Sequence, residues 1–143
     1  MSRTIISLDV GDKRIGVAKS ALDVKISSPL ATLENTSEVY DEICELAQEL
    51  DAVAIVVGHP LDINYKKTEQ TKKVDNFASV LESRIEVPLY FQDETLTSVK
   101  AEQELKEKGK PFEKGAVDAL AATFILEDFM EQNLEVMKEL TNG

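Results

Sequence analysis

Carboxylates that follow apolar runs are the residues of this sequence best placed to do chemistry. Asp9 ends the apolar run 5–8, and a turn containing Gly11 leads from it into a second apolar run that begins at Ile15. This pattern predicts a hairpin whose first strand carries Asp9 at its tip. An ionised carboxylate at such a position needs a cation or strong hydrogen-bond donors nearby. The stretch alone leaves two interpretations open, in which Asp9 either accepts hydrogen bonds from backbone N–H groups or acts as a ligand.

Three other acidic residues, at two places in the chain, fit the same picture. Asp93 and Glu94 follow the predicted strand 87–92, and Asp118 interrupts an otherwise apolar helix pattern. Asp118 is either a first-turn acid that favours the helix dipole or a residue that faces Asp9 and Glu94. Three carboxylates close together would repel one another unless a divalent cation kept them ionised. Ligands that are all oxygen favour Mg²⁺ or Mn²⁺.

The elements that must position these acids can be predicted from periodicity. We expect five strands, at 4–9, 15–20, about 30–33, 52–58 and 87–92. We also expect four helices: from an N-cap at Ser37 to about 50, at about 68–84, from Thr97 or Ser98 to about 108, and at about 115–131. The run 52–58 is apolar without alternation, which is typical of a strand covered on both faces. The chain is therefore expected to be α/β, with a mixed sheet and one domain over residues 1–143, and the tail after about 132 is expected to fray. In such sheets ligands bind at the carboxyl ends of the strands.

Composition and charge narrow the class of protein. The chain has 143 residues, 43% hydrophobic, with a formal net charge of -11 and one cysteine, Cys44. The charge argues against non-specific binding of polyanions. Cys44 has no potential zinc ligands at the usual spacing around it, and we interpret it as a thiol without a chemical role. A single cysteine agrees with a reducing compartment, so we expect a cytoplasmic protein. The cations fall into three groups, each of which by itself is typical of a solvated face: Lys13, Arg14, Lys19 and Lys25; Lys66, Lys67, Lys72 and Lys73; Lys106, Lys108, Lys110 and Lys114.

Four segments in order resemble the signature blocks of a known family. They are Leu8-Asp9-Val10-Gly11 with Arg14-Ile15-Gly16-Val17-Ala18, then Val56-Val57-Gly58-His59-Pro60-Leu61, then Asp93-Glu94-Thr95-Leu96-Thr97-Ser98-Val99, and last Lys114-Gly115-Ala116-Val117-Asp118-Ala119-Leu120-Ala121-Ala122. They are similar to the YqgF/RuvX family, which is related to the RuvC Holliday-junction resolvases. The resemblance runs from residue 4 to about 130, and its specificity comes from four blocks in the right order.

The resemblance implies an RNase H-like fold (βββαβαβα), with a mixed five-stranded sheet flanked by helices on both faces. It also implies a nuclease that processes the 5′ end of the precursor of 16S ribosomal RNA, or one that resolves four-way DNA junctions. Carried over by motif, Asp9, Glu94 and Asp118 are the catalytic, metal-binding acids, and Asp93 lies beside them. The implied mechanism is hydrolysis with two Mg²⁺ or Mn²⁺ ions. Lys13 and Arg14 then become candidates for holding the phosphate backbone of structured RNA or branched DNA.

The sequence departs from the family pattern at three places. Thr95 stands where the family usually has an arginine, which puts a phosphate contact in doubt. His59 replaces a residue that is usually apolar, and as an auxiliary group it could contact phosphate or act as an acid, although a solvated loop histidine is the simpler interpretation. The segment 64–67 replaces a loop that usually contains glycine, and Lys66 and Lys67 there could contact phosphates in compensation.

Two hypotheses from other classes remain open at this stage. A first strand ending in Leu-Asp-x-Gly is also found in ATPases of the actin and sugar-kinase type, but those proteins pair two such domains. The net charge and Thr95 also fit a non-catalytic domain whose acidic surface binds a basic protein. The oligomeric state, monomer or homodimer, is left open by the sequence.

Overall fold

The computed structural model describes residues 3–94 and 114–142. Five strands and four helices lie in these ranges: β1 Thr4–Val10, β2 Arg14–Ala21, β3 Ser28–Glu34, α1 Val39–Glu49, β4 Ala52–Pro60, α2 Glu69–Glu82, β5 Leu89–Glu94, α3 Lys114–Gln132 and α4 Leu134–Asn142. No helix in these ranges combines the length and the apolar character needed to cross a bilayer.

The strands form one mixed sheet in the order β3-β2-β1-β4-β5. β1 to β3 form an antiparallel meander that contains the predicted hairpin, and β4 and β5 join it in parallel with β1. Because β1, β4 and β5 run in the same direction, their carboxyl ends lie at one edge of the sheet, which is called the carboxyl edge below.

Helices cover both faces of the sheet, as the uninterrupted apolar strand predicts. On one face, Leu8 and Val57 pack in a core that includes Ile43 of α1 and Leu81 of α2. On the other face, a second core joins strand side chains to α3 and α4, and includes Ile5, Val56, Ile125, Phe129 and Met137. The fold class predicted from the sequence, α/β with a mixed five-stranded sheet between helices, is confirmed.

Several predicted boundaries differ from the structure. The N-cap residue of α1 is Glu38, not Ser37, and it makes no side-chain cap hydrogen bond. The preceding turn is instead held by Thr36, whose hydroxyl accepts a hydrogen bond from the Glu38 N–H. Thr68 caps α2 in a capping box with Thr71.

The predicted fraying of the tail is wrong for residues 134–142. They form α4, Met137 is buried in the core, and Arg3 donates a hydrogen bond to the carbonyl oxygen of Thr141 at 2.7 Å. Apolar packing of Val136, Met137 and Leu140 and one tie to the other end of the chain therefore hold this short helix. The helix predicted from Thr97 or Ser98 to about 108 lies outside the described residues.

Candidate active site at the carboxyl edge

Asp9 faces the α3 side of the sheet. It is the penultimate residue of β1, and side chains alternate between the two faces along a strand. Two residues earlier, the buried Ser7 hydroxyl donates a hydrogen bond to the carbonyl oxygen of Ala122 in α3 at 2.6 Å. Asp9 therefore points to the same face as Ser7, near the N-terminal half of α3.

Gly16 allows the close approach that brings Asp118 to Asp9. Gly16 is the partner of Asp9 across the β1 and β2 pair. A Cβ atom at Gly16 would lie 1.9 Å from the carbonyl oxygen of Asp118, so only glycine lets the backbone of α3 pack directly on β2. The sequence reasoning did not recognise this role, although a glycine inside a strand signals close approach of another backbone.

Gly58 also leaves room for α3 on the other side of Asp9, but an added side chain there would meet the flexible end of a side chain and not backbone. A Cβ atom at this position of β4 would lie 2.4 Å from Cδ1 of Ile125. The Ser7 hydrogen bond and the close backbone packing at Gly16 thus hold α3 against the sheet near Asp9.

Arg14 holds Asp118 in place. Its Nε atom donates to Oδ2 of Asp118 at 2.7 Å, and both side chains are partly shielded, being 36% and 22% exposed. Arg14 begins β2, next to the hairpin turn, so the ion pair links the turn to α3. The guanidinium is therefore engaged within the site rather than extended into solvent as a simple phosphate contact.

Asp9 has an unusual protonation equilibrium. Burial, and secondarily the negative charge of Asp118, raise its pKa from 3.8 to about 7. Its side chain is still partly exposed. A divalent cation between the two carboxylates would reverse both effects, since it would replace lost solvation and neutralise the repulsion. The oxygen-only donor set fits Mg²⁺ or Mn²⁺.

Glu94 ends β5 two strands away from Asp9. Along β5, the Tyr90 ring makes a tilted contact with the Phe129 ring and Gln92 donates to Gln132, so this alternate set of residues faces α3. By the same alternation Glu94 lies on the face that carries Asp9, and its Oε1 atom is buried. All three predicted acids therefore belong to one face and one edge.

The three acids do not form a closed ligand cluster. Within residues 3–94 and 114–142, no group of three or more aspartate, glutamate, histidine or cysteine side chains is arranged to hold a metal ion. The structure brings Asp9 and Asp118 together and leaves Glu94 at the border of the site.

His59 and Asp93 lie on the opposite face of the sheet. His59 Nε2 is 2.7 Å from Oδ1 of Asp75 in α2, and its Nδ1 is 3.3 Å from Oδ1 of Asp93. The imidazole also packs on the Phe91 ring, with centroids 4.6 Å apart. The sequence predicts Asp93 beside the acids and His59 as either an auxiliary group or, more simply, a solvated loop histidine. The solvated loop interpretation is wrong, because His59 lies in β4 and its side chain is only 12% exposed, between Asp75 and Asp93.

The predicted phosphate-binding lysines flank the carboxyl edge. Lys13 is exposed in the turn between β1 and β2, and Lys66 is exposed in the loop after β4. Lys67 binds Oδ2 of Asp75 at 3.0 Å. Together with His59 it holds the pKa of Asp75 below 3.8, outweighing the opposite effect of desolvation. Thr95 and the cations at 106, 108 and 110 lie outside the described residues.

Cys44 behaves as the sequence predicts. It is half-buried in α1, and its Sγ atom lies 3.7 Å from the carbonyl oxygen of Arg84. Desolvation and the nearby Asp41 raise its pKa above 9.0, which opposes formation of a thiolate.

The sequence matches a known protein family and several named relatives. Residues 3–132 match the sequence profile described as "RuvX: Holliday junction resolvase". Proteins named "Putative pre-16S rRNA nuclease" align over most of both chains. The one from Chloroflexus aurantiacus is 40% identical over 131 residues, covering 89% of this chain and 86% of its own. The one from Maridesulfovibrio salexigens is 36% identical over 130 residues, covering 88% and 96%.

A solved structure shows the same fold. The chain is similar to "T. thermophilus RuvC in complex with Holliday junction substrate", with a TM-score of 0.56 and 15% identity over 91% of this chain and 96% of that one. The likeness supports the RNase H-like fold that the family resemblance implies. The profile match over most of the chain and the relatives at 36–40% identity show that the chain belongs to the RuvX family of resolvase-like nucleases.

Proposed function

We propose that this protein is a divalent-metal-dependent nuclease that hydrolyses phosphodiester bonds at the carboxyl edge. The observation that carries the proposal is the setting of Asp9, where burial, and secondarily the nearby negative charge of Asp118, raise its pKa to about 7. Holding two carboxylates together in a partly desolvated site is unfavourable by itself. The arrangement is reasonable if a cation binds there, and perturbed carboxylates of this kind are typical of functional sites.

Each residue has a defined task in this proposal. Asp9 and Asp118 would hold Mg²⁺ or Mn²⁺, and Glu94 is the third oxygen ligand available on the same face. Bound as a pair, such ions activate water and stabilise the leaving oxygen of a phosphodiester. Arg14 keeps Asp118 oriented through the 2.7 Å contact, and its partly exposed guanidinium is also within the site that a phosphate would enter.

The favoured substrate is the 5′ end of the precursor of 16S ribosomal RNA. The support is the name shared by relatives that are 36–40% identical over most of the chain. Work on this precursor would place the protein in the cytoplasm and would not require a symmetric dimer.

A four-way DNA junction is the second candidate substrate. It is favoured by the family description, which names Holliday junction resolvases. Cutting a symmetric junction would suit a homodimer that presents two sites. Sedimentation of the protein with and without a junction would therefore accompany the cleavage test.

The test is a cleavage assay on both substrates with Mg²⁺ or Mn²⁺, using the wild type, Asp9→Asn and a matched control, Asp12→Asn. Asp12 lies in the same hairpin, but it is exposed and pairs with Lys73 at 3.2 Å. We expect Asp9→Asn to lose activity by roughly 100-fold or more, since metal-assisted hydrolysis contributes several kcal/mol. Asp12→Asn should cleave like the wild type.

Circular dichroism would show that each variant is folded. Cleavage by Asp9→Asn at the wild-type rate would refute the assigned role of Asp9. Absence of cleavage by the wild type, with tight metal-independent binding of a basic protein, would instead favour the non-catalytic domain suggested by the net charge of -11.

A further inference from the structure

The loop that follows β4 is an ordered turn, closed by pairing of Leu61 with Lys67. The Tyr65 N–H donates to the carbonyl oxygen of Asp62 at 2.9 Å. The Asp62 carboxylate accepts hydrogen bonds from the N–H groups of Asn64 and Lys66 at 2.8 and 2.9 Å. These bonds give the loop a fixed shape.

Tyr65 adopts a backbone conformation that rarely suits its side chain. Its φ angle is 59°, in the left-handed region, where hairpin turns of this type normally place glycine. The side chain is 68% exposed, and within the described ranges no other ring or cation stacks on it. Compared with glycine, tyrosine strains the backbone at this position, and its ring gains no packing against other described residues in return. Such an outlier is a reason to look for a function.

The loop rises from the carboxyl edge. At its base, the Leu61 N–H donates to the carbonyl oxygen of Glu94 at 3.0 Å, and Pro60 is the strand partner of Glu94. Lys66, next to Tyr65, is exposed and makes no ion pair with another described residue, unlike Lys67. An exposed ring and an exposed cation are therefore neighbours in a loop whose base is hydrogen-bonded to the backbone of Glu94, one of the candidate metal ligands.

We propose that Tyr65 stacks on an unpaired nucleobase of the substrate while Lys66 contacts an adjoining phosphate. The proposal rests on the proposed nuclease function and deepens it by naming the substrate class, a single-stranded segment next to the bond that is cut. Aromatic side chains stack on bases of any sequence, because every base has a π face, whereas paired bases inside a helix do not offer that face. The lysine fits the usual pattern of cationic contacts with the backbone of the strand.

The test measures binding without cleavage. Fluorescence anisotropy would follow three labelled probes in EDTA: a short single-stranded RNA, the single-stranded DNA of the same sequence, and a blunt RNA duplex. The proteins are the wild type, Tyr65→Ala, Tyr65→Phe, Tyr65→Gly and a matched control, Ile63→Ala, which removes another exposed apolar side chain of the same loop.

We expect Tyr65→Ala to weaken binding of both single strands by about 5- to 150-fold, the range that base stacking on an aromatic side chain accounts for. Tyr65→Phe and Ile63→Ala should bind like the wild type, and the duplex should bind equally to all five proteins. Tyr65→Gly should lose binding like Tyr65→Ala and yet melt at a higher temperature than the wild type, because glycine relaxes the backbone.

Three results would overturn the inference: no binding of single strands by the wild type, unchanged binding by Tyr65→Ala, or an equal loss on the duplex. A loss on RNA but not on DNA would restrict the ligand to RNA and support the inference for that strand. Because binding is read without metal, the outcome is independent of catalysis. A protein that cuts nothing but shows the Tyr65 effect would refute the proposed function alone.

Discussion

Replacing Asp9 with asparagine should stabilise the metal-free protein at alkaline pH. Asparagine keeps the shape of the side chain but cannot ionise. In the wild type, burial and Asp118 make the charged form of Asp9 unfavourable, so its pKa rises to about 7. Removing that charge should increase the free energy of unfolding while removing a metal ligand.

The sign and size of the effect follow from proton linkage. Between about pH 4 and pH 7 the folded state holds a proton on Asp9 that the unfolded state has released, so this residue lowers stability as pH rises through that window. Above about pH 7 the contribution becomes constant. A shift from 3.8 to about 7 corresponds to roughly 4 kcal/mol, an upper limit because the side chain is partly exposed.

The assay is urea denaturation of both proteins in EDTA at acidic and alkaline pH. The difference in free energy of unfolding between Asp9→Asn and the wild type should widen by about 2–3 kcal/mol from near pH 5 to near pH 8. Asp12→Asn, which changes an exposed acid in the same hairpin, should show no such widening. Adding Mg²⁺ should then stabilise the wild type preferentially, because a ligand that binds only the folded state raises its stability.

Two outcomes would refute this reasoning. One is a difference between Asp9→Asn and wild type that is the same at both pH values, which would mean that the carboxylate is well solvated. The other is a variant that is less stable than the wild type at alkaline pH, which would mean that the ionised carboxylate makes stabilising hydrogen bonds.

Three further substitutions test the surroundings of the site. Gly16→Ala should destabilise the protein by about 1–3 kcal/mol in urea denaturation and lower cleavage, because the new methyl group would displace the backbone at Asp118; a fully active variant would contradict the close packing. His59→Ala should lower the free energy of unfolding by about 1–3 kcal/mol through loss of its bonds to carboxylates, while cleavage per folded molecule stays at the wild-type level. A large fall in the cleavage rate of a fully folded variant would instead make His59 part of the active site. Arg14→Gln should lower kcat more than it raises KM, since the anchor of Asp118 is lost; an unchanged kcat would argue that Asp118 keeps its position without Arg14.

Much of the fold follows from local patterns in the sequence. The apolar runs specify β1, β2 and β4, and the unalternating run in β4 predicts helices on both faces because neither face can be left to water. Boundaries follow less well, because they depend on neighbours. β5 extends to Glu94 since Asp93 and Glu94 pair with His59 and Pro60, which their own sequence does not indicate.

The acidic residues of the candidate site could be predicted from the sequence, but the contacts that hold them could not. Asp9 and Glu94 reach the same edge because their strands run parallel. The face of the sheet on which each side chain lies follows from the alternation of side chains along a strand, once the strand register is known. The Arg14 contact with Asp118 depends on the depth at which α3 packs, which Gly16 determines. The position of His59 depends on Asp75, a residue of α2 that no motif links to it.

The tail shows the same limit on a smaller scale. Its amphipathic pattern is weak evidence for a helix by itself, because short isolated helices are marginal in water. Burial of Met137 and the hydrogen bond between Arg3 and Thr141 supply the tertiary contacts that the pattern alone does not reveal.

The central claim, that Asp9 and Asp118 hold a divalent ion for phosphodiester hydrolysis, is tested most directly by the rate of cleavage of labelled precursor RNA as a function of Mg²⁺ concentration. The wild type should cleave at a rate that rises with Mg²⁺, saturates and disappears in EDTA. Folded Asp118→Asn should be slower by roughly 100-fold or more at every concentration. Cleavage that persists in EDTA, or an Asp118→Asn protein that follows the wild-type curve, would contradict the account.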